Sequence, residues 1–85
     1  MSKSFRNPRQ PVVSVEYVKT EDESDTYESL CVKAPYSKAF LAEARALRGR
    51  WDAQYRNWWF AAADEAKLMA ALESCYIDAR FVRVD

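Results

Sequence analysis

Two stretches near the start of the chain, VVSVEYVK (residues 12–19) and YESLCVKAP (27–35), alternate apolar and polar side chains, and the seven residues between them, TEDESDT, are all polar. Successive side chains of a strand point to opposite faces, so this pattern puts Val13, Val15 and Tyr17 on one face against Ser14 and Glu16. It puts Leu30, Val32 and Ala34 on one face and Cys31 and Lys33 on the other. The two strands are expected to form a hairpin with an acidic tip. Pro35 has no N–H to give to a ladder and ends the second strand.

The rest of the chain has to cover the apolar face. Ser37 can cap a helix, and SKAFLAEARALRG brings Phe40, Leu41, Ala44 and Leu47 to one side, with Lys38, Glu43, Arg45 and Arg48 on the wet side. Arg45 and Arg48 suit the negative end of the helix dipole, and Gly49 is expected to stop the helix. Two short strands follow, RWD and NWWFA, joined by AQYR. Asp64 is the expected N-cap of a second helix, DEAKLMAALESCY, in which Leu68, Ala71, Leu72, Cys75 and Tyr76 recur at helical spacing. A last strand, ARFVRVD, closes the chain. The order β-β-α-β-β-α-β predicts an α+β fold: a small, mostly antiparallel sheet with both helices on one face. Residues 1–11, with two prolines and only Phe5 to bury, read as a flexible arm, and residues 12–85 as a single domain.

A chain of 85 residues buries only about 60% of its unfolded surface, so each large side chain matters. All three tryptophans fall within GRWDAQYRNWWF, residues 49–60. Strand phase sends Trp58 and Phe60 inward, with Trp51 beside them across the hairpin, and sends Trp59 outward.

The net charge is zero, yet the charges are segregated. Glu16, Glu21, Asp22, Glu23, Asp25 and Glu28 face only Lys19 in their stretch. Lys33, Lys38, Arg45, Arg48, Arg50 and Arg56 outnumber Glu43 and Asp52 in theirs, and the arm adds Lys3, Arg6 and Arg9. The chain has no histidine, which excludes imidazole acid–base chemistry and His-containing triads and zinc sites. One glycine cannot build a glycine-rich phosphate loop. Cys31 and Cys75 form neither a metal spacing nor a disulfide framework, and no apolar run approaches the ~20 residues that span a bilayer. A non-catalytic cytoplasmic protein with no membrane span, metal or cofactor is the expectation.

VKAPYSKAFLAEARALRGRWDAQYRNWWF, continuing into DEAKLMAALESCY, resembles the HARP domain, the small module in front of the motor of annealing helicases. The matching residues are Val32, Pro35, Tyr36, Trp51, Asp52, Arg56, Trp58 and Phe60. The pattern is also similar to a short V-P-Y…W-D…W domain of plasmid and phage proteins, through Gly49, Trp51, Asp52 and one of the paired tryptophans. The resemblance spans about residues 30–76 and implies recognition of single-stranded or forked DNA. On the residues themselves, Lys33, Lys38, Arg45, Arg48, Arg50 and Arg56 would track phosphates while Tyr55 and Trp59 stack on bases. The alternative is a phage- or plasmid-encoded protein-interaction module that inhibits a nucleic-acid-processing or defence complex. There Glu21, Asp22, Glu23 and Asp25 would mimic a phosphate backbone, with Tyr36 and Trp59 as anchors.

Overall fold

The computed structural model describes residues 10–21 and 23–84. Asp22 and most of the expected arm, including Lys3, Phe5, Arg6 and Arg9, lie outside the described residues. Gln10 and Pro11 are tied down. The Gln10 side chain donates to the Asp78 carbonyl at 2.9 Å, and the Pro11 carbonyl accepts from the Arg80 N–H at 2.9 Å.

The fold is α+β, in the expected order. Strands β1 (Val12–Glu21) and β2 (Thr26–Lys33) form the antiparallel hairpin, and α1 (Lys38–Ala46) follows. A second hairpin, β3 (Arg50–Asp52) and β4 (Asn57–Ala61), pairs with β2 through β4. A 3-10 turn over Ala62–Asp64 leads into α2 (Glu65–Cys75), which carries the chain to β5 (Arg80–Val84). The sheet order is β3-β4-β2-β1-β5, and β5 lies parallel to β1.

Strand alternation sets the core. Val13, Val15, Leu30, Val32 and Phe60 share the face covered by the helices, where Phe40 and Ala44 of α1 and Leu68, Ala71 and Leu72 of α2 pack against them. Tyr76 joins this core and its hydroxyl donates to the Pro35 carbonyl, pinning the β2–α1 connection. Leu47 and Tyr17 pack at its margin, half-buried. Arg83 on β5 holds Glu65 at the start of α2 at 2.7 Å.

Four expectations are corrected. Trp51 is not in the core: β3 is an edge strand of three residues, and the ring is 52% exposed, resting on Trp58. Trp58 is half-buried, shielded on the core side by Phe40 and Phe60. Asp64 makes no side-chain capping bond, because the 3-10 turn already delivers the chain in helical sense, with the Glu65 N–H bonded to the Ala62 carbonyl.

The fourth concerns the end of α1. The left-handed residue there is Arg48, with φ 61°, not Gly49. The Arg48 N–H bonds the Arg45 carbonyl and the Gly49 N–H bonds the Ala44 carbonyl, the paired bonds of a Schellman motif. Glycine is needed one position later because its backbone runs against the Phe60 ring. Ser37 caps α1 as expected, accepting from the Phe40 N–H at 3.1 Å.

Candidate nucleic-acid interface

The β2–α1 connection, the outer side of α1 and the β3–β4 hairpin enclose an open groove of about 870 Å³ at one end of the helix-covered face. Its floor is Phe40 and Trp58, whose rings meet edge to face at 6.4 Å. Trp51 forms one wall, 5.4 Å from Trp58 between ring centroids. Tyr36, 82% exposed, stands at the rim, held there because Pro35 just before it is bonded to Tyr76 and Ser37 just after it caps the helix. Arg45 reaches the groove from α1 and Arg56 from the hairpin turn.

The turn geometry explains Arg56. Asp52 accepts from the N–H groups of Gln54 and Tyr55, at 3.0 and 3.3 Å, and so bends the chain back on itself. The four-residue turn closes with Arg56 in the left-handed region at φ 56°. Asp52 is thus a turn-former. Arg48 and Arg56 are the positive-φ residues of the described chain, and both are arginines at positions where glycine or asparagine fits without strain. Arg45, Arg48, Arg50 and Arg56 pair with no carboxylate among the described residues.

The structure divides the remaining expected residues. Arg50 and Lys33 belong to the opposite, helix-free face: Arg50 is in register with Trp59, and Trp59 with Cys31. Trp59 is half-buried there. Arg56 therefore does not flank Trp59, as neighbouring sequence positions suggested. Lys38, Arg48 and Tyr55 are exposed and lie outside the groove lining. Of the alternative set, Glu21, Glu23 and Asp25 sit at the far end of the β1–β2 hairpin, away from Tyr36. Sequence phase missed Trp51. The usable signal was the brevity of RWD between Gly49 and a turn, which marks an edge strand with a neighbour on one side only.

Burial pushes the Cys31 thiol up, with Glu16 adding to the effect, and it pushes the Cys75 thiol up as well. A raised pKa disfavours the thiolate, the nucleophilic form. Burial also raises the Tyr76 phenol, with Ser37 acting the other way. No three Cys, Asp or Glu side chains gather as a metal site among the described residues, and no helix there is long and apolar enough to cross a membrane. No family model, curated protein or solved structure matches the chain.

Proposed function

We propose that the protein is a non-catalytic cytoplasmic module that binds single-stranded or forked DNA in the Trp51 groove. The observation that carries this is the stacking of a half-exposed Trp51 on Trp58 in a groove that also holds two arginines without carboxylate partners among the described residues. Aromatic faces beside cationic side chains are what a splayed nucleic-acid strand needs: bases stack at about 1–3 kcal/mol each while guanidinium groups hold phosphates. Double-helical DNA offers no free base face, so a groove of this kind favours unpaired strands. The HARP-like pattern of Pro35, Tyr36, Trp51, Asp52, Arg56 and Trp58 supports the same reading, because most of these residues line or shape the groove. Zero net charge favours modest affinity over avid coating of duplex.

The strain at Arg56, which lines the groove, adds weight. A left-handed backbone costs a side-chain-bearing residue roughly 1–2 kcal/mol relative to the right-handed form. A long cation at that position fits a role outside folding.

Fluorescence anisotropy with labelled single-stranded, forked and duplex oligonucleotides tests this. Single-stranded or forked DNA should bind more tightly than duplex, and Arg45→Gln with Arg56→Gln should weaken binding and flatten its salt dependence. Absence of binding to every form at low salt would end the proposal.

A further inference from the structure

The groove and the acidic hairpin tip lie at opposite ends of the sheet. The β3–β4 turn precedes Asn57, and β4 runs antiparallel to β2, so the turn lies at the Lys33 end, where the chain leaves for α1. The acidic connector lies at the other end. The hairpin also outruns its neighbours there. Pairing with β4 stops at Ser29, and pairing with β5 stops at Glu16. The pairs Lys19–Glu28, Thr20–Tyr27 and Glu21–Thr26 therefore have only each other. At about 3.3 Å per residue, this two-stranded ribbon projects roughly 10 Å.

The ribbon is ordered by its own side chains. The Tyr17 phenol shares a hydrogen bond with the Glu28 carboxylate, which holds the phenol's pKa up. Lys19 stands 3.8 Å from Glu21, and Asp25 accepts from the Thr26 N–H at 2.8 Å. Glu21, Asp25 and Glu28 nonetheless outnumber Lys19 on the described ribbon, and Tyr27 among them is 50% exposed. The groove presents the complement: Arg45 and Arg56 without carboxylate partners among the described residues, beside the exposed rings of Trp51 and Tyr36. The separation of the two ends keeps a ribbon from its own groove, so complementary surfaces can meet only between copies.

We propose that the groove accepts the acidic ribbon of a second copy, so that chains associate head to tail when no polyanion fills the groove. The contact is heterologous: each joined copy still has one ribbon or one groove free. Exposed ion pairs are individually weak, so the association is salt-labile. It requires an anion-accepting groove but does not require that the groove bind DNA.

Sedimentation velocity without nucleic acid, at about 10 mM and about 1 M salt, where screening lengths are about 30 Å and about 3 Å, provides the test. The wild type should gain mass with concentration at low salt and return to monomer at high salt. A ribbon-reversed variant (Glu21→Lys, Asp25→Lys) and a groove-reversed variant (Arg45→Glu, Arg56→Glu) should each stay monomeric with a native circular dichroism spectrum. Mixed in equal amounts they should associate one to one, because each then offers the charge the other lacks. Should either reversal unfold the chain, Glu21→Gln with Asp25→Asn and Arg45→Gln with Arg56→Gln should each lose the association without reversing charge. A wild type that remains monomeric at low salt overturns the proposal. So do single variants that associate as the wild type does, or reversed variants that fold but stay apart when mixed. Because no DNA is present, these outcomes leave the DNA reading untouched. Conversely, self-association without oligonucleotide binding would sink only the DNA reading.

Discussion

A Cβ on Gly49 would lie 2.5 Å from one carbon of the Phe60 ring and 2.9 Å from the next. Gly49 is in the last link between α1 and β3, and Phe60 is a buried residue of the core. Neither can retreat freely, since Phe60 is held by Phe40 and Trp58 and the Gly49 N–H by Ala44. Gly49→Ala should destabilise the domain by about 1–3 kcal/mol, as overpacking does. At about 4–8 °C per kcal/mol for a domain of this size, thermal melting resolves the change easily. Phe60→Leu should offset part of it, so the double mutant should lose less than the two single losses added together. Full additivity would place the clash elsewhere.

The two left-handed arginines predict opposite signs for stability and binding. Glycine at Arg48 or Arg56 relieves roughly 1–2 kcal/mol of backbone strain and gives back about 0.5–1 kcal/mol through unfolded-state entropy. Arg48→Gly and Arg56→Gly should therefore each leave the fold as stable or stabilise it by up to about 1.5 kcal/mol. Arg56→Gly should at the same time weaken oligonucleotide binding, because Arg56 lines the groove. Urea titration and anisotropy on the same samples read the two effects separately. A destabilised Arg56→Gly would show that the side chain holds the turn.

Alkaline pH should unfold the protein earlier than neutral pH. Burial raises the pKa of the Cys31 and Cys75 thiols and the Tyr76 phenol, and the hydrogen bond to Glu28 raises that of Tyr17. The unfolded chain then releases these protons first. Stability is complete below the unfolded values, about 8.5 for cysteine and about 10 for tyrosine, and falls as pH climbs through them toward the folded values. The urea midpoint should be flat around neutrality and decline from about pH 9. Tyr76→Phe should remove part of the upper limb and cost about 1 kcal/mol at neutral pH, the worth of its bond to Pro35. An unchanged alkaline limb in both Tyr76→Phe and Cys31→Ser would assign the loss to other groups.

The element order was legible because period-two alternation in residues 12–34 and helical spacing in 37–48 and 64–76 leave little else for this chain to form. The groove was less so, for a physical reason. Alternation tells which side of a strand a residue takes but not how many neighbours that strand has. Trp51 and Trp58 share a face, in register across the hairpin, yet only Trp58 has β2 on its other side. The order of strands in the sheet depends on where α2 carries the chain, which local pattern does not encode. The left-handed conformations were hidden similarly: arginine has no preference for positive φ, so the Schellman motif looked as if it would use the adjacent glycine.

Under the proposed function, stacking falls to Trp51 rather than Trp59. Trp59 lies between Arg50 and Cys31 on the helix-free face, and Cys31 beside it is only 6% exposed, so this part of the surface is packed. Trp51 has half its surface free and Arg56 on the same groove. Trp51→Ala should change melting little and weaken single-stranded DNA binding by about 1–3 kcal/mol, whereas Trp51→Phe should recover most of that loss. Trp59→Ala should leave binding nearly unchanged and lower stability through lost cross-strand packing, by roughly 1 kcal/mol. Trp58→Ala should do both kinds of damage, since its ring touches Phe40 and Phe60 on the core side and carries Trp51 on the other, with a stability loss of about 3 kcal/mol. Anisotropy and circular dichroism melting on the three alanine variants and Trp51→Phe distinguish these roles. If Trp59→Ala, and not Trp51→Ala, loses the DNA, the binding surface is the open sheet face with Arg50 and Lys33, and the groove is not the site.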